Sequence, residues 1–151
     1  MHKQQGLFKG ISLIPFIHVI KDLIISNKCK TLFDYGCGKG LSYTKDFKLT
    51  DTFCTDVLEH IPESDLDWVI REVLSFSNTV AFINVCSQEA RKTFLTGKHK
   101  GRNVHVSVFS NDWWINKFAT IWRDFKHIKI YIATTSTKGT IGTCIKRREP
   151  N

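Results

Sequence analysis

The sequence predicts a single α/β domain built on a mostly parallel sheet. Short apolar runs with strand composition alternate with segments of helical period, which is typical of a parallel sheet covered by helices on both faces. The run "TVAFINVC" at 79–86 is apolar throughout, as expected for a central parallel strand. The 151 residues, 42% of them hydrophobic, provide one core but not two. An antiparallel hairpin is expected at the C-terminal end of the sheet.

Each element has its own local signal. Ser12 is a suitable cap for the first helix, and Pro15 is tolerated in its first turn. Apolar residues of helical period follow an acidic first turn at 63–77, and a Ser-Asn pair opens the helix at 110–125. The predicted order is helix 12–26, strand 30–35, strand 51–55, helix 63–77, strand 79–86, helix 110–125, strand 127–135 and strand 139–146. The domain spans 1–151, with its core at 30–146 and a basic tail at 146–151, and the strands are expected to lie in chain order across the sheet.

The charge of the chain favours polyanionic partners. The formal net charge is +8 and the pI is about 9.4. Basic residues concentrate in a loop and at the end of the chain: Arg91, Lys92, Lys98, Lys100, Arg102, Lys146, Arg147 and Arg148. A nucleic-acid surface and a solvated loop with a charged tail are equally compatible with this distribution.

The cysteines and the N-terminal apolar run predict a soluble cytoplasmic protein. The five cysteines at 29, 37, 54, 86 and 144 form no CxxC pair, so we expect small buried hydrophobes in a reducing compartment and no zinc site. The run from Ile11 to Ile25 contains His18, Lys21 and Asp22 and is too short and too charged for a membrane span.

The stretch "TLFDYGCGKG" at 31–40 is the strongest motif of the chain. A predicted strand ends in Asp34 and is followed by Gly36, Gly38 and Gly40 on alternate positions. Glycines directly after a strand let a ligand approach the backbone at the carboxyl end of a parallel sheet. The spacing fits neither a P-loop nor the GxGxxG of nicotinamide enzymes. A tight turn without a ligand is the competing interpretation.

"DYGCGKG" followed by "CTDVLEHIP" resembles the first and fourth motifs of the class I S-adenosylmethionine-dependent methyltransferases, and the small bacterial and phage versions most closely. The resemblance covers about residues 30–145 and implies a trimmed Rossmann-like sheet. It also implies that Asp34 orients the glycine loop or the methionine part of the cofactor, and that Asp56 lies near cofactor and substrate. The implied cofactor-binding residues are Asp34, Tyr35, Gly36, Cys37, Gly38, Gly40, Asp56 and Val57.

The chain departs from the family pattern between the two motifs. Only residues 41–51 separate Gly40 from Thr52, which is room for one short helix near 42–47 but not for the family's second and third strand units. The family's ribose-binding acid belongs to the missing part, and Asp46 or Asp51 is a candidate replacement. The first strand then becomes an edge of the sheet, and we expect a homodimer that covers it, with the N-terminal helix as the intramolecular alternative.

Asp56, Glu59 and His60 share the i, i+3, i+4 spacing of one helical face, and His105 follows later in the chain. This arrangement resembles the metal-assisted O-methyltransferases, which implies catalytic roles for all four residues and a bound Mg or Mn ion. The alternatives are a general base without a metal, or a cap and a packing histidine. Trp113 and Trp114 are either a stacking platform for a base or, at helical spacing, core.

The predicted function is therefore transfer of a methyl group from S-adenosylmethionine to a nucleic acid or a small-molecule hydroxyl. The enzyme would act mainly by positioning its reactants and excluding water. The alternative is a non-catalytic protein of the same origin that binds S-adenosylmethionine or nucleic acid.

Overall fold

The computed structural model of the chain describes residues 14–30, 32–36, 52–135 and 146–148. Its elements are α1 (Ile17–Ser26), β1 (Phe33–Tyr35), β2 (Thr52–Thr55), α2 (Leu66–Ser75), β3 (Val80–Cys86), α3 (Asn111–Ile121), β4 (Lys129–Thr135) and β5 (Lys146–Arg148). Short 3₁₀ turns lie at Ile14–Phe16, Leu58–His60, Glu63–Asp65 and Trp122–Asp124.

The strands of the described residues form one sheet in chain order, β1-β2-β3-β4-β5. The first four strands are parallel, and β5 pairs antiparallel with β4. The register aligns Tyr35 with Cys54 and Thr55 with Asn84, so the carboxyl ends of β1, β2 and β3 meet at one edge of the sheet. This shared edge, called the carboxyl edge below, carries most of the residues that the sequence singles out.

Helices α2 and α3 cover one face of the sheet. Alternate strand residues such as Cys54, Ile83 and Ile132 point to this face because successive side chains of a strand point to opposite sides. They pack with Trp114 and Phe118 of α3, and all five side chains are fully buried. The side-chain oxygen of Ser110 accepts a hydrogen bond from the backbone N–H of Trp113 at 3.2 Å and caps α3, as its sequence predicts.

Helix α1 covers the opposite face. Phe16, just before the helix, and Ile20 within it pack against Phe53, Phe82 and neighbouring strand residues. The rings of Phe16 and Phe82 lie 5.4 Å apart between centroids. Helices therefore lie on both faces, as predicted.

The α/β class and the parallel sheet are confirmed, and the helices and strands are shorter than predicted by one to a few residues at their ends. Residues 146–148, predicted as the start of a basic tail, form β5, because the backbone of the β4 edge offers unpaired N–H and C=O groups there. The turn and nearly all of the second strand of the predicted hairpin, residues 136–145, lie outside the described residues, as do Ser12, the connector at 41–51, and the rest of the tail.

Candidate functional site

The glycine turn begins directly after β1, at the carboxyl edge. Gly36 has φ +88°, a backbone conformation that L-residues with a side chain rarely adopt. A Cβ atom at Gly36 would also collide with Cγ2 of Val57. Both the backbone conformation and the Val57 side chain therefore favour glycine here. Val57 belongs to the second motif, so the two motifs pack directly against each other.

Two side chains of β1 flank this turn. Burial raises the pKa of Asp34 to about 7, so its carboxyl group is only partly ionised at neutral pH. The hydroxyl of Tyr35 donates to Oε2 of Glu72 at 2.7 Å, which ties β1 to α2. Of the predicted cofactor-binding residues, Cys37, Gly38 and Gly40 lie outside the described residues.

Asp56 follows β2 at the neighbouring position of the same edge. Its φ of +54° is unusual for a residue with a side chain, although aspartate tolerates it better than most. The backbone N–H of Asp56 donates to the carbonyl of Asn84 at 3.3 Å, and Nδ2 of Asn84 donates to Oδ1 of Asp56 at 3.1 Å. These two bonds attach the turn after β2 to β3.

Glu59 is a fully buried carboxyl group. Its Oε1 accepts a hydrogen bond from the backbone N–H of Cys86 at 3.2 Å, whereas no donor within the described residues reaches its Oε2. Burial, and after it the negative charge of Asp56, raises the pKa of Glu59 to about 8. The backbone carbonyl of Glu59 accepts from the N–H groups of Val106 and Ser107 at 2.8 and 3.0 Å, which attaches the segment after the basic loop.

His60 and His105 meet edge to face, with ring centroids 4.9 Å apart. Nδ1 of His60 bonds to the carbonyl of Val104 at 2.8 Å, and Nδ1 of His105 bonds to the carbonyl of Gln88 at 2.6 Å. A carbonyl only accepts, so Nδ1 is the protonated nitrogen in both rings and the lone pair of each neutral ring is on Nε2. Burial lowers the pKa of His60, which keeps that ring neutral.

Cys86, the last residue of β3, joins this cluster. One ligand atom each from Glu59, Cys86 and His105 lie within 4.8 Å of one another. Neither Asp56 nor His60 belongs to this group, so among the described residues only Glu59 and His105 of the four metal ligands that the resemblance implies are part of it. Sequence reasoning missed Cys86 because an isolated cysteine in an apolar strand has the pattern of a core residue. The feature that could have identified Cys86 from the sequence is its position at the carboxyl end of a central strand.

The tryptophan pair divides as its helical spacing indicates. Trp114 is fully buried and belongs to the core. Trp113 is half-buried and stacks on Phe109, with ring centroids 3.7 Å apart and planes at 19°. Phe109 thus already occupies one face of the Trp113 ring.

The basic loop is a folded hairpin-like segment rather than an extended one. Thr93 and Asn103 form an antiparallel bridge, and the N–H of Phe94 donates to the carbonyl of Arg102 at 2.9 Å. At its base, the side-chain oxygen of Asn103 accepts from the N–H groups of Ala90 and His105 at 3.1 and 2.9 Å. All five basic side chains of the loop are exposed: Arg91, Lys92, Lys98, Lys100 and Arg102.

Comparison with known proteins identifies no relative of this chain, because no family model, curated protein or solved structure matches it. Within the described part of the chain, no helix combines the length and the apolar character that crossing a membrane requires. The site is therefore interpreted from its own residues.

Proposed function

We propose that the chain is an S-adenosylmethionine-dependent methyltransferase of a trimmed class I type. The observation that carries the proposal is the meeting of the two motifs at the carboxyl edge, where the turn at Gly36 packs on Val57. Ligands of open α/β sheets bind at this edge.

The charges at the edge suit this cofactor. S-adenosylmethionine supplies an electrophilic methyl group on a positively charged sulfur. Asp34 lies in β1 and Asp56 directly follows β2, the adjacent parallel strand, and both carry carboxyl groups that suit a cation. Burial raises the pKa of Asp34, and a bound cation would lower it again by stabilising the ionised form. Asp34 and Asp56 would hold the sulfonium end, beside Tyr35, Gly36 and Val57.

The acceptor needs a group that takes its proton. His60 suits this role because burial keeps its imidazole neutral and its bond to Val104 places the lone pair on Nε2. His105 has the same tautomer through Gln88. Glu59, with a pKa of about 8, is mostly protonated at neutral pH and serves this role less well.

The basic loop favours a nucleic acid as acceptor over an uncharged small molecule. Its five exposed cations provide the non-specific phosphate contacts that such substrates need. Asn103, at the base of the basic loop, is hydrogen-bonded to the N–H of His105. A nucleic-acid strand bound to this loop would therefore lie next to His60 and His105.

Cofactor binding tests the proposal first. Calorimetry at pH 6 and pH 8 should compare S-adenosylmethionine with S-adenosylhomocysteine, which has the same amino-acid part but an uncharged sulfur. We expect both to bind, and only S-adenosylmethionine to bind more tightly at pH 8, as Asp34 ionises. Asp34→Asn should remove that difference. Absence of binding by both ligands at millimolar concentration would overturn the proposal.

Methyl transfer is tested separately with tritium-labelled cofactor and RNA, DNA or small-molecule extracts. Label in nucleic acid, reduced when Lys98 and Lys100 are both changed to glutamine, supports the proposed acceptor. Label only in the small-molecule fraction changes the acceptor but keeps the enzyme. Binding without label in any fraction supports the non-catalytic alternative.

A further inference from the structure

We propose that Glu59, Cys86 and His105 form a binding site for Zn²⁺ or a similar borderline divalent transition-metal ion. The inference does not depend on methyl transfer. It shares Glu59 and His105 with the expected Mg or Mn site but includes Cys86 and takes a different metal, and it departs from the expectation of no zinc site, which rested on the absence of a CxxC pair.

The first argument is the geometry. One ligand atom from each residue lies within 4.8 Å of the other two. An ion at the centre of a triangle with sides of that length would be about 2.8 Å from each corner, whereas Zn²⁺ takes nitrogen, oxygen and sulfur ligands at about 2.0–2.3 Å. The three ligand atoms would therefore have to move inward by less than about 1 Å each.

The second argument is an unsatisfied oxygen. Glu59 is fully buried, yet no donor within the described residues faces its Oε2. A buried polar oxygen without a hydrogen-bond partner is costly, and a metal ion that displaced the proton of Glu59 would satisfy it. Asp56 bonds to Asn84, and beside the cluster it adds a negative charge that further favours a cation.

The third argument is how the ligands are held. Nδ1 of His105 donates to the carbonyl of Gln88, which leaves the lone pair on Nε2 in the manner of metal-bound histidines. The thiol of Cys86 donates to the same carbonyl at 3.6 Å. The bond from the Cys86 N–H to Glu59 ties the two other ligands together.

The donor set decides the class of metal. A thiolate and an imidazole with one carboxylate suit Zn²⁺, whereas Mg²⁺ and Ca²⁺ prefer oxygen ligands only. Three protein ligands leave a fourth position of a tetrahedral ion open for water or for a hydroxyl-bearing ligand. Binding would release the protons of Cys86 and Glu59 to solvent, since both coordinate in their deprotonated forms.

Titration of the metal-free protein with Co²⁺ tests the site, because a cysteine ligand adds a thiolate-to-cobalt charge-transfer band. We expect one equivalent to bind with this band. Cys86→Ser should remove the band, and His105→Gln should weaken binding about tenfold or more. Cys29→Ser, a half-buried cysteine near the end of α1, is the matched control and should change neither.

His60→Gln separates this site from the four-residue alternative. We expect it to retain the charge-transfer band and the affinity, because His60 lies outside the group. Loss of metal binding in this variant and in Asp56→Asn, with Mg²⁺ bound as well as Co²⁺, would overturn the proposal in favour of the oxygen-rich site.

X-ray absorption at the zinc edge of the unaltered protein needs no variant to fold. A sulfur neighbour at about 2.3 Å together with nitrogen or oxygen neighbours supports the site. A shell of nitrogen and oxygen alone, or no stoichiometric uptake of zinc, would overturn it.

Discussion

The two halves of the carboxyl edge are built differently. The glycine half, Asp34 to Gly36 with Val57, lies on the outermost described strand and is attached by its pairing with β2, by the bond of Tyr35 to Glu72 and by the contact of Gly36 with Val57. The cluster half, Asp56 to His60 with Cys86 and His105, is attached to β3 and to the segment after the basic loop by a series of hydrogen bonds. The cluster is therefore preorganised, whereas the glycine half is sensitive to single changes.

The largest effect is expected at Gly36. Gly36→Ala should lower the free energy of unfolding by roughly 2–4 kcal/mol, because alanine is strained at φ +88° and its Cβ would collide with Val57. Urea unfolding followed by tryptophan fluorescence measures this loss. The same Gly36→Ala substitution should also be measured in the Val57→Ala variant, where the contact is absent. If Gly36→Ala costs as much there as in the unaltered protein, the Val57 contact is not the reason for glycine.

Glu59→Ala should cost about 1–3 kcal/mol, because the N–H of Cys86 loses its acceptor in a buried site. Glu59→Gln keeps an acceptor for this N–H and cannot ionise. It should therefore change the free energy of unfolding of the metal-free protein very little at pH 7. Unfolding of both variants with a chelator present measures the difference. Equal losses for the two variants would show that the hydrogen bond to Cys86 contributes nothing.

Ser107→Ala should lower stability by about 1 kcal/mol. The buried hydroxyl of Ser107 donates to the carbonyl of Ile61 at 2.6 Å and holds the segment after the basic loop against the turn after β2. Ser110→Ala, which removes the cap of α3 instead, should lower stability by a similar amount and serves as the comparison variant. Only Ser107→Ala should also weaken cobalt binding, because it loosens the position of His105.

A different kind of effect, a pH dependence of stability, is expected from Asp34. Its folded pKa of about 7 lies above the usual value of 3.8, so the folded state holds the proton more tightly than the unfolded state does. The contribution of Asp34 to the free energy of unfolding is fully present below pH 3.8 and is lost as the pH rises through about 7. Asp34→Asn should flatten this part of the stability profile, and Asp112→Asn in the exposed first turn of α3 should not. Identical slopes for Asp34→Asn and the unaltered protein would contradict the raised pKa.

Residue patterns alone determined the type and order of the elements. The apolar run at 79–86 is β3, and the Ser-Asn start at 110–111 opens α3, because periodicity and capping act over a few neighbouring residues. The helical face predicted for Asp56, Glu59 and His60 is not formed, because Asp56 has φ +54° and only Leu58–His60 make a short 3₁₀ turn. The first and last residues of the helices and strands were less predictable than their type and order, because the ends depend on contacts with distant segments.

Only the tertiary structure decided which of these residues meet. The parallel pairing of β2 with β3 places Cys86 against Glu59, and the bonds of Asn103 and Gln88 place His105 beside both. One of the two reasons that Gly36 is glycine is likewise the side chain of Val57, 21 positions later in the chain. Contacts of this kind depend on strand register and loop closure, which couple residues far apart in the chain and leave no local pattern. The sequence therefore determined the residue types available at the carboxyl edge, and packing determined that glutamate, cysteine and histidine form one group there.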